Sequence, residues 1–280
     1  MRIMKRALLV VLGVYVVLAA ALYLEQTRFI FVPQREVEFT PKVFGCDFQR
    51  VSIPSESGSM EAWWLSADPR LSAQMGGRTV IYFHGNGGSI GANAEHACRL
   101  RNIGFNVLLF DYRGYGQSSS VSPSEDTVYA DADSAWNYLT RERNVVPHKT
   151  IIYGHSLGGA VAIEMAKRHP DATALITESA FTSIRAMADR DIKSSLFPMA
   201  LILNQRMDSL SKIRNIHMPK LFIHGTADDV VPPSMAQQLY VAAPAKKQLF
   251  LVDGAGHENC AAIAGEKYQA TVRSFLTAAD

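Results

Sequence analysis

Ser156 stands at the centre of Gly154-His155-Ser156-Leu157-Gly158, a spacing that can present a hydroxyl for nucleophilic attack. Chance alone supplies about 0.1 copies of such a pentapeptide in a chain of this length, so the motif carries weight only through its setting. An apolar run, Thr150–Tyr153, enters it, and a helix-spaced run, Leu157–Arg168, leaves it. A strand-to-helix turn this tight leaves no room for side chains at Gly154 and Gly158, and it holds the hydroxyl clear of the strand. It also sets the N–H of Leu157 at a helix start, where negative charge developing on an attacked carbonyl oxygen is stabilised.

A serine hydroxyl is a weak nucleophile near neutral pH, so it needs a base, and the base needs an orienting acid. The order expected after such a turn is serine, acid, histidine. Two loops fit, each just past a predicted strand: His224-Gly225-Thr226-Ala227-Asp228-Asp229 and Gly254-Ala255-Gly256-His257. His257 is the predicted base. Asp228 is the predicted acid, ahead of Asp229, which is expected to cap the helix after Pro232-Pro233 or to face solvent; Glu178 is a third candidate at another strand end. His84 and His224 read as structural, and the ring of His155 is expected to point away from the substrate. The glycine-rich His84-Gly85-Asn86-Gly87-Gly88 offers a second oxyanion N–H at Asn86, and it lacks the spacing of a phosphate-binding loop. Asp111-Tyr112-Arg113-Gly114-Tyr115-Gly116 reads as a structural turn with a buried polar network, with anion binding by Arg113 as the alternative.

Positioning these groups requires an alternation of strands and helices. Eight short apolar runs read as strands: Arg50–Ile53, Glu61–Ser66, Thr79–Phe83, Asn106–Phe110, Thr150–Tyr153, Ala174–Thr177, Lys220–Ile223 and Gln248–Val252. Helical spacing fills Ile90–Ile103, Glu125–Arg143, Leu157–Arg168, Ser234–Ala242 and Ala262–Ala278. The pattern predicts an α/β fold, a mostly parallel eight-stranded sheet with helices on both faces, entered by an antiparallel hairpin. The stretch from about 181 to 219 has no strand and holds an apolar helical run, Ile192 to Leu203, interrupted by Pro198; it is expected to cap the site.

At the N-terminus, Arg2, Lys5 and Arg6 precede an uncharged apolar run from Ala7 to Leu24, about 27 Å long as a helix. Residues 1–33 are therefore predicted to be a transmembrane anchor and juxtamembrane segment, and 34–280 the globular domain. The basic flank predicts a cytoplasmic N-terminus with the body across the membrane; removal as a signal peptide near Ala19-Ala20-Ala21, leaving a secreted or periplasmic protein, is the alternative. With 28 basic and 26 acidic residues spread along the chain, nothing points to nucleic acid. Cys46, Cys98 and Cys260 are an odd count without a C-x-x-C pair, which argues against a disulfide framework or a zinc site and predicts small buried residues.

Phe83-His84-Gly85-Asn86-Gly87-Gly88, Asp111-Tyr112-Arg113-Gly114-Tyr115-Gly116, Gly154-His155-Ser156-Leu157-Gly158-Gly159 and His224-Gly225-Thr226-Ala227-Asp228 together resemble the α/β-hydrolase superfamily, over nearly the whole body. The apolar helix followed by Arg28-Phe29-Ile30-Phe31-Val32-Pro33-Gln34-Arg35 is similar to membrane-anchored abhydrolase-domain proteins, a group that includes lipid and acyl-protein hydrolases. The resemblance implies an ester, thioester or amide hydrolase with no metal or organic cofactor. It implies Ser156, Asp228 and His257 as the triad and the N–H groups of Asn86 and Leu157 as the oxyanion hole. The cap insert is short beside the lids of some lipases, which implies an open, promiscuous pocket. The expected activity is cleavage of carboxylic esters or thioesters of small molecules or lipids through an acyl-enzyme on Ser156. An amidase or peptidase of the same fold and a catalytically silent, membrane-tethered binding module are the alternatives; the complete Ser, Asp and His set favours turnover.

Overall fold

The computed structural model describes residues 2–191 and 194–278. A long helix, α1 (Arg2–Ile30), leads into the body. Then come β1 (Gln49–Ser55), β2 (Gly58–Leu65), α2 (Pro69–Gln74), β3 (Thr79–Phe83), α3 (Ala94–Ile103), β4 (Asn106–Phe110) and α4 (Glu125–Asn137). The second half contains β5 (Thr150–His155), α5 (Leu157–Arg168), β6 (Ala174–Glu178), the cap helices α6 (Ile184–Ala188), α7 (Met199–Ile202) and α8 (Ser209–Ile213), and β7 (Lys220–Gly225). It closes with α9 (Pro233–Ala242), β8 (Lys247–Val252), α10 (Cys260–Ala264) and α11 (Glu266–Thr277).

The eight strands form one sheet in the order β1-β2-β4-β3-β5-β6-β7-β8. β1 and β2 pair antiparallel, with Ser55 opposite Gly58 across the turn, and β2 pairs antiparallel with β4. All remaining pairs are parallel. Successive residues of a strand face opposite sides, so Ile81 and Phe83 pack under α4, α5, α8 and α9, whereas Val80 and Tyr82 pack under α3 and α11. Being covered on both faces, β3, β5, β6 and β7 are buried at every position, which explains their unbroken apolar runs. From β3 the chain crosses to β4 on one side and then returns to β5 on the other. The crevice between the C-terminal ends of β3 and β5 is thus the switch point at which open α/β sheets bind ligands.

Departures from the expected elements have local causes. The last predicted helix splits at Gly265, whose φ of 52° no regular helix accommodates. Helix α2, only six residues long, is too short to leave a periodic signal; it is started by Asp68, whose carboxylate accepts from the N–H groups of Arg70 and Leu71. In the cap, Ile192 and Lys193 of the expected helical run lie outside the described residues. The rest forms a turn at Ser194–Leu196 and the single-turn α7, separated at Pro198.

The cysteines are buried, as expected, but two of them are paired, against expectation. Cys46 and Cys98 form a disulfide, with Cα atoms 5.9 Å apart, and Cys260 is free and buried. The odd count concealed a pair separated by 52 residues, which meets only because the turn at Pro41–Phe44 packs on α3.

Helix α1 is long and apolar enough to cross a membrane, with a mean hydropathy of 2.7 over its most apolar window. Its last turns do not stand apart from the body. Gln26 is buried, accepting through Oε1 from the N–H groups of Asn204 (2.9 Å) and Gln205 (3.2 Å) and donating through Nε2 to the carbonyl of Ile202 (3.1 Å). Contacts therefore cross the domain boundary expected at residue 33.

Candidate active site

The turn between β5 and α5 places Ser156 in a backbone conformation (φ 53°, ψ −118°) that non-glycine residues rarely adopt. Its neighbours show why the motif needs glycines. A Cβ on Gly154 would lie 2.1 Å from the carbonyl oxygen of Gly158, and one on Gly158 would lie 2.0 Å from that of Phe83. Close packing of β5 against the start of α5 and the end of β3 thus forces the serine outward. Its N–H is held by the carbonyl of Glu178 at 2.9 Å.

Loops from three different strand ends converge on this hydroxyl. His257, beyond β8, has Nε2 2.9 Å from Ser156 Oγ. Its Nδ1 lies 2.8 Å from Oδ2 of Asp228, beyond β7. Asp228 is buried, and every side of its carboxylate is engaged. Oδ1 accepts from the N–H groups of Val230 (3.0 Å) and Val231 (2.8 Å), and Oδ2 also lies 3.1 Å from His224 Nε2. His224 Nε2 is 2.8 Å from the Val231 carbonyl as well; with only acceptors around it, this nitrogen carries the proton and donates. Burial pushes the Asp228 carboxyl up, but donation from His224, His257 and the Val231 N–H outweighs it, and the group is held well below the usual carboxylate range. For His257, burial favours the neutral ring, yet the bond to Asp228 and its charge prevail and raise the pKa above 6.5.

The backbone of His257 is fixed too. The His257 carbonyl accepts from the Ser179 hydroxyl at 2.9 Å and lies 3.1 Å from His155 Nε2. Contrary to expectation, the His155 ring does not turn away from the site: it lies 5.2 Å from the His257 ring and lines a cavity beside Ser156. Asp229 is exposed. Glu178 sits beneath the sheet end, where Oε2 accepts from the hydroxyls of Tyr153 (2.5 Å) and Tyr268 (2.8 Å), and it makes no bond to His257. Arg113 is buried against Asp131, which also accepts from the Arg113 N–H at 2.8 Å, so this pair belongs to the core and not to an anion site. His84 is buried, its Nδ1 2.7 Å from the Gly85 carbonyl.

Asn86 lines the cavity that also holds Ser156 and Leu157. Its side chain reaches backwards: Nδ2 donates to the carbonyl of Ile30 (2.6 Å), and Oδ1 accepts from the Val32 N–H (2.9 Å) and the Tyr115 hydroxyl (2.9 Å). The loop after β3 is thereby tied to the end of α1.

Two cavities meet at Ser156. One, of about 440 Å³, is mainly apolar, with Phe181, Ile184, Met187 and Leu203 of the cap region on its walls. The other, of about 700 Å³, is the more polar of the two and contains Asn93, Glu95, His96, His155, His257 and Glu258. Among the described residues, His155, His257 and Glu258 place possible metal-ligand atoms within 4.8 Å of one another. Both ring nitrogens of His257 already face hydrogen-bond partners, however, so an ion there would displace the contact to Ser156 or Asp228. A hydroxyl facing an imidazole whose other nitrogen faces a buried carboxylate can lose its proton to that ring as it attacks a carbonyl carbon.

The role of His224 beside Asp228 and the support of His257 by Ser179 and His155 escaped the sequence reading. His224 had one available signal, its position four residues before Asp228 on the same strand end. Gln26, the carboxamide just past an otherwise apolar run, was the signal for a docked helix end.

Comparison with known proteins agrees with this architecture. A family model described as serine aminopeptidase, S33, matches residues 77–212 and 199–261, spans that contain Ser156, Asp228 and His257. An uncharacterised protein of Mycobacterium tuberculosis (strain ATCC 25618 / H37Rv) is 36% identical over 201 residues, which cover 72% of this chain and 70% of that protein. Protein bem46 of Schizosaccharomyces pombe is 30% identical over 256 residues, covering 88% of this chain and 82% of its own. Among solved structures, the Pyrococcus furiosus esterase Pf2001 superposes with a TM-score of 0.69 at 23% identity, over 89% of this chain and 97% of that one, a likeness of fold. The chain is a hydrolase and belongs to the α/β-hydrolase family described as serine aminopeptidase, S33.

Proposed function

We propose that this protein is a serine hydrolase that cleaves carboxylic esters or thioesters, including those of lipidic or acylated substrates, through an acyl-enzyme on Ser156. The observation that carries this reading is the continuous path from Asp228 through His257 to Ser156, at 2.8 and 2.9 Å. Ser156 Oγ attacks the carbonyl carbon as its proton passes to His257 Nε2. The N–H groups of Leu157, at the start of α5, and Asn86 receive the oxyanion. Collapse of the tetrahedral species expels the alcohol or thiol, which takes the proton from His257. Water, deprotonated by the same ring, then releases the acid. Asp228 stays ionised throughout and stabilises the imidazolium.

A fluorophosphonate probe should label the protein, and labelling should vanish in Ser156→Ala. Short p-nitrophenyl esters should be hydrolysed by the natural chain and not by His257→Ala. Equal labelling of Ser156→Ala would contradict the mechanism. The serine aminopeptidase description of the matching family supports an amidase or peptidase as the second reading. Aminoacyl anilides turned over faster than the corresponding esters would favour it.

The apolar α1 supports a retained anchor, and its basic flank supports a cytoplasmic N-terminus. The Cys46–Cys98 disulfide supports a body held in an oxidising compartment across the membrane. Protease added to sealed, right-side-out membranes should digest the body, and the mature chain should retain its first thirty residues. A protected body, or a mature chain that begins beyond Ala21, would refute this placement.

A further inference from the structure

Three observations about α1 belong together. First, Tyr15, Ala19, Leu22, Gln26 and Ile30 recur every three or four residues, so they share one face of the helix, and this face contains its less exposed positions. Second, that face grips the cap. The Tyr15 ring stacks on Phe197 with centroids 5.3 Å apart, the Tyr15 hydroxyl donates to the Leu196 carbonyl at 3.1 Å, and Gln26 is bonded to Ile202, Asn204 and Gln205. Third, the same face continues into the site: Leu22, Gln26, Phe29 and Ile30 line the apolar cavity of about 440 Å³ that reaches Ser156.

The charged residues nearest the C-terminal end of α1 are Glu25 and Arg28, paired at 2.8 Å. Tyr15 lies ten residues before Glu25, about 15 Å along the helix on its apolar side. In a helix that crosses the bilayer, the cap tip gripping Tyr15 therefore lies below the level of those charges. The cap surface is suited to that position, since Leu196 and Leu201 are 69% and 81% exposed. In water such exposed leucines gain nothing, whereas in a lipid leaflet they are solvated.

We infer that the C-terminal half of α1 and the cap tip from Leu196 to Leu201 form a membrane-embedded acyl-chain site, into which one fatty-acyl chain slides from the leaflet along Leu22, Phe29 and Ile30 to bring its carbonyl carbon to Ser156. The direction follows from the two cavities. His257, which returns its proton to the departing group, lines the polar cavity and not the apolar one. The polar side thus takes the leaving group, and the apolar side takes the acyl chain. This inference rests on the hydrolase reading above for its chemistry, but the embedding of the cap does not. The anchor is in this view a wall of the active site as well as a tether.

The test uses the full chain in phosphatidylcholine vesicles and has two arms. In the first, tryptophan fluorescence is quenched by lipids brominated on their acyl chains. Leu201→Trp should show quenching beyond that of the natural chain, whereas Val241→Trp, on α9 at a position 75% exposed, should not. Equal quenching of the two variants overturns the embedding, and this arm needs no turnover. In the second, kcat/KM is measured for p-nitrophenyl acetate and dodecanoate. Leu22→Trp should lower the dodecanoate-to-acetate ratio at least about tenfold, the effect of displacing two or more buried methylenes. Leu24→Trp, on the opposite, 73% exposed face, should keep the natural ratio. If the indole dislodges α1, Leu22→Cys converted after folding to its S-hexyl mixed disulfide by hexyl methanethiosulfonate, with release of methanesulfinate, should give the same fall. An unchanged ratio in the blocked chain, with acetate still hydrolysed, overturns the acyl site alone. Absence of acetate hydrolysis in the natural chain overturns the hydrolase reading instead.

Discussion

Replacing Asp228 by asparagine changes one atom and keeps the shape, and the surroundings dictate how the new side chain must sit. The N–H groups of Val230 and Val231 point at Oδ1 from 3.0 and 2.8 Å, so the amide oxygen is required there. The NH2 group is thereby forced into the Oδ2 position, facing His257 Nδ1 at 2.8 Å and the donor His224 Nε2 at 3.1 Å. His257 then accepts at Nδ1 and carries its proton on Nε2, which faces Ser156 and cannot take the serine proton. This loss of the productive tautomer is worth about 10⁴-fold in kcat, or roughly 5 kcal/mol of transition-state stabilisation. The assay is kcat/KM for a short p-nitrophenyl ester, with melting temperature recorded to show that the fold survives. Asp228→Asn retaining more than a tenth of the natural kcat/KM would refute this account of the acid and its locked orientation.

Because the pKa of His257 is raised above 6.5 and only its neutral form can act as base, kcat/KM should fall as pH drops through an apparent pKa higher than that value. In Asp228→Asn the same limb should shift to lower pH, and a natural profile with its midpoint below 6.5 would contradict the assignment. Gly158→Ala should cost about 3 kcal/mol or more, since its Cβ meets the backbone carbonyl oxygens of Phe83 and His84 at 2.0 and 2.5 Å. Gly87→Ala, whose added Cβ meets nothing within 4 Å, should melt close to the natural chain; equal melting of both variants would show that the turn is not rigid. Finally, replacing Cys46 and Cys98 together by serine should destabilise the body by about 4 kcal/mol, the loop-closure effect of a link spanning 52 residues, seen as a lower unfolding midpoint in urea.

The sequence by itself determined the strands and most of the longer helices, and it singled out the candidate reacting groups. Strands buried on both faces are largely apolar and end in glycine-marked turns, so their positions, and Ser156, Asp228 and His257 as candidates for the chemistry proposed above, could be read from local pattern alone. The elbow was legible for the same reason, because its glycines are demanded by backbone clashes within a few residues and across one neighbouring strand. What lay beyond local pattern was every contact between segments far apart in the chain. The Cys46–Cys98 link, the donation of His224 to Asp228, the support of the His257 carbonyl by Ser179 and the burial of Glu178 under two tyrosines all depend on which surfaces the sheet order brings together. The clearest case is α1: its apolar run announces a membrane helix, but nothing in that run says that one face will close the cavity beside Ser156. Hydrophobic burial has no direction of its own, so only the tertiary structure, with the hydrogen bonds of Gln26 and Asn86, decided where the helix docks.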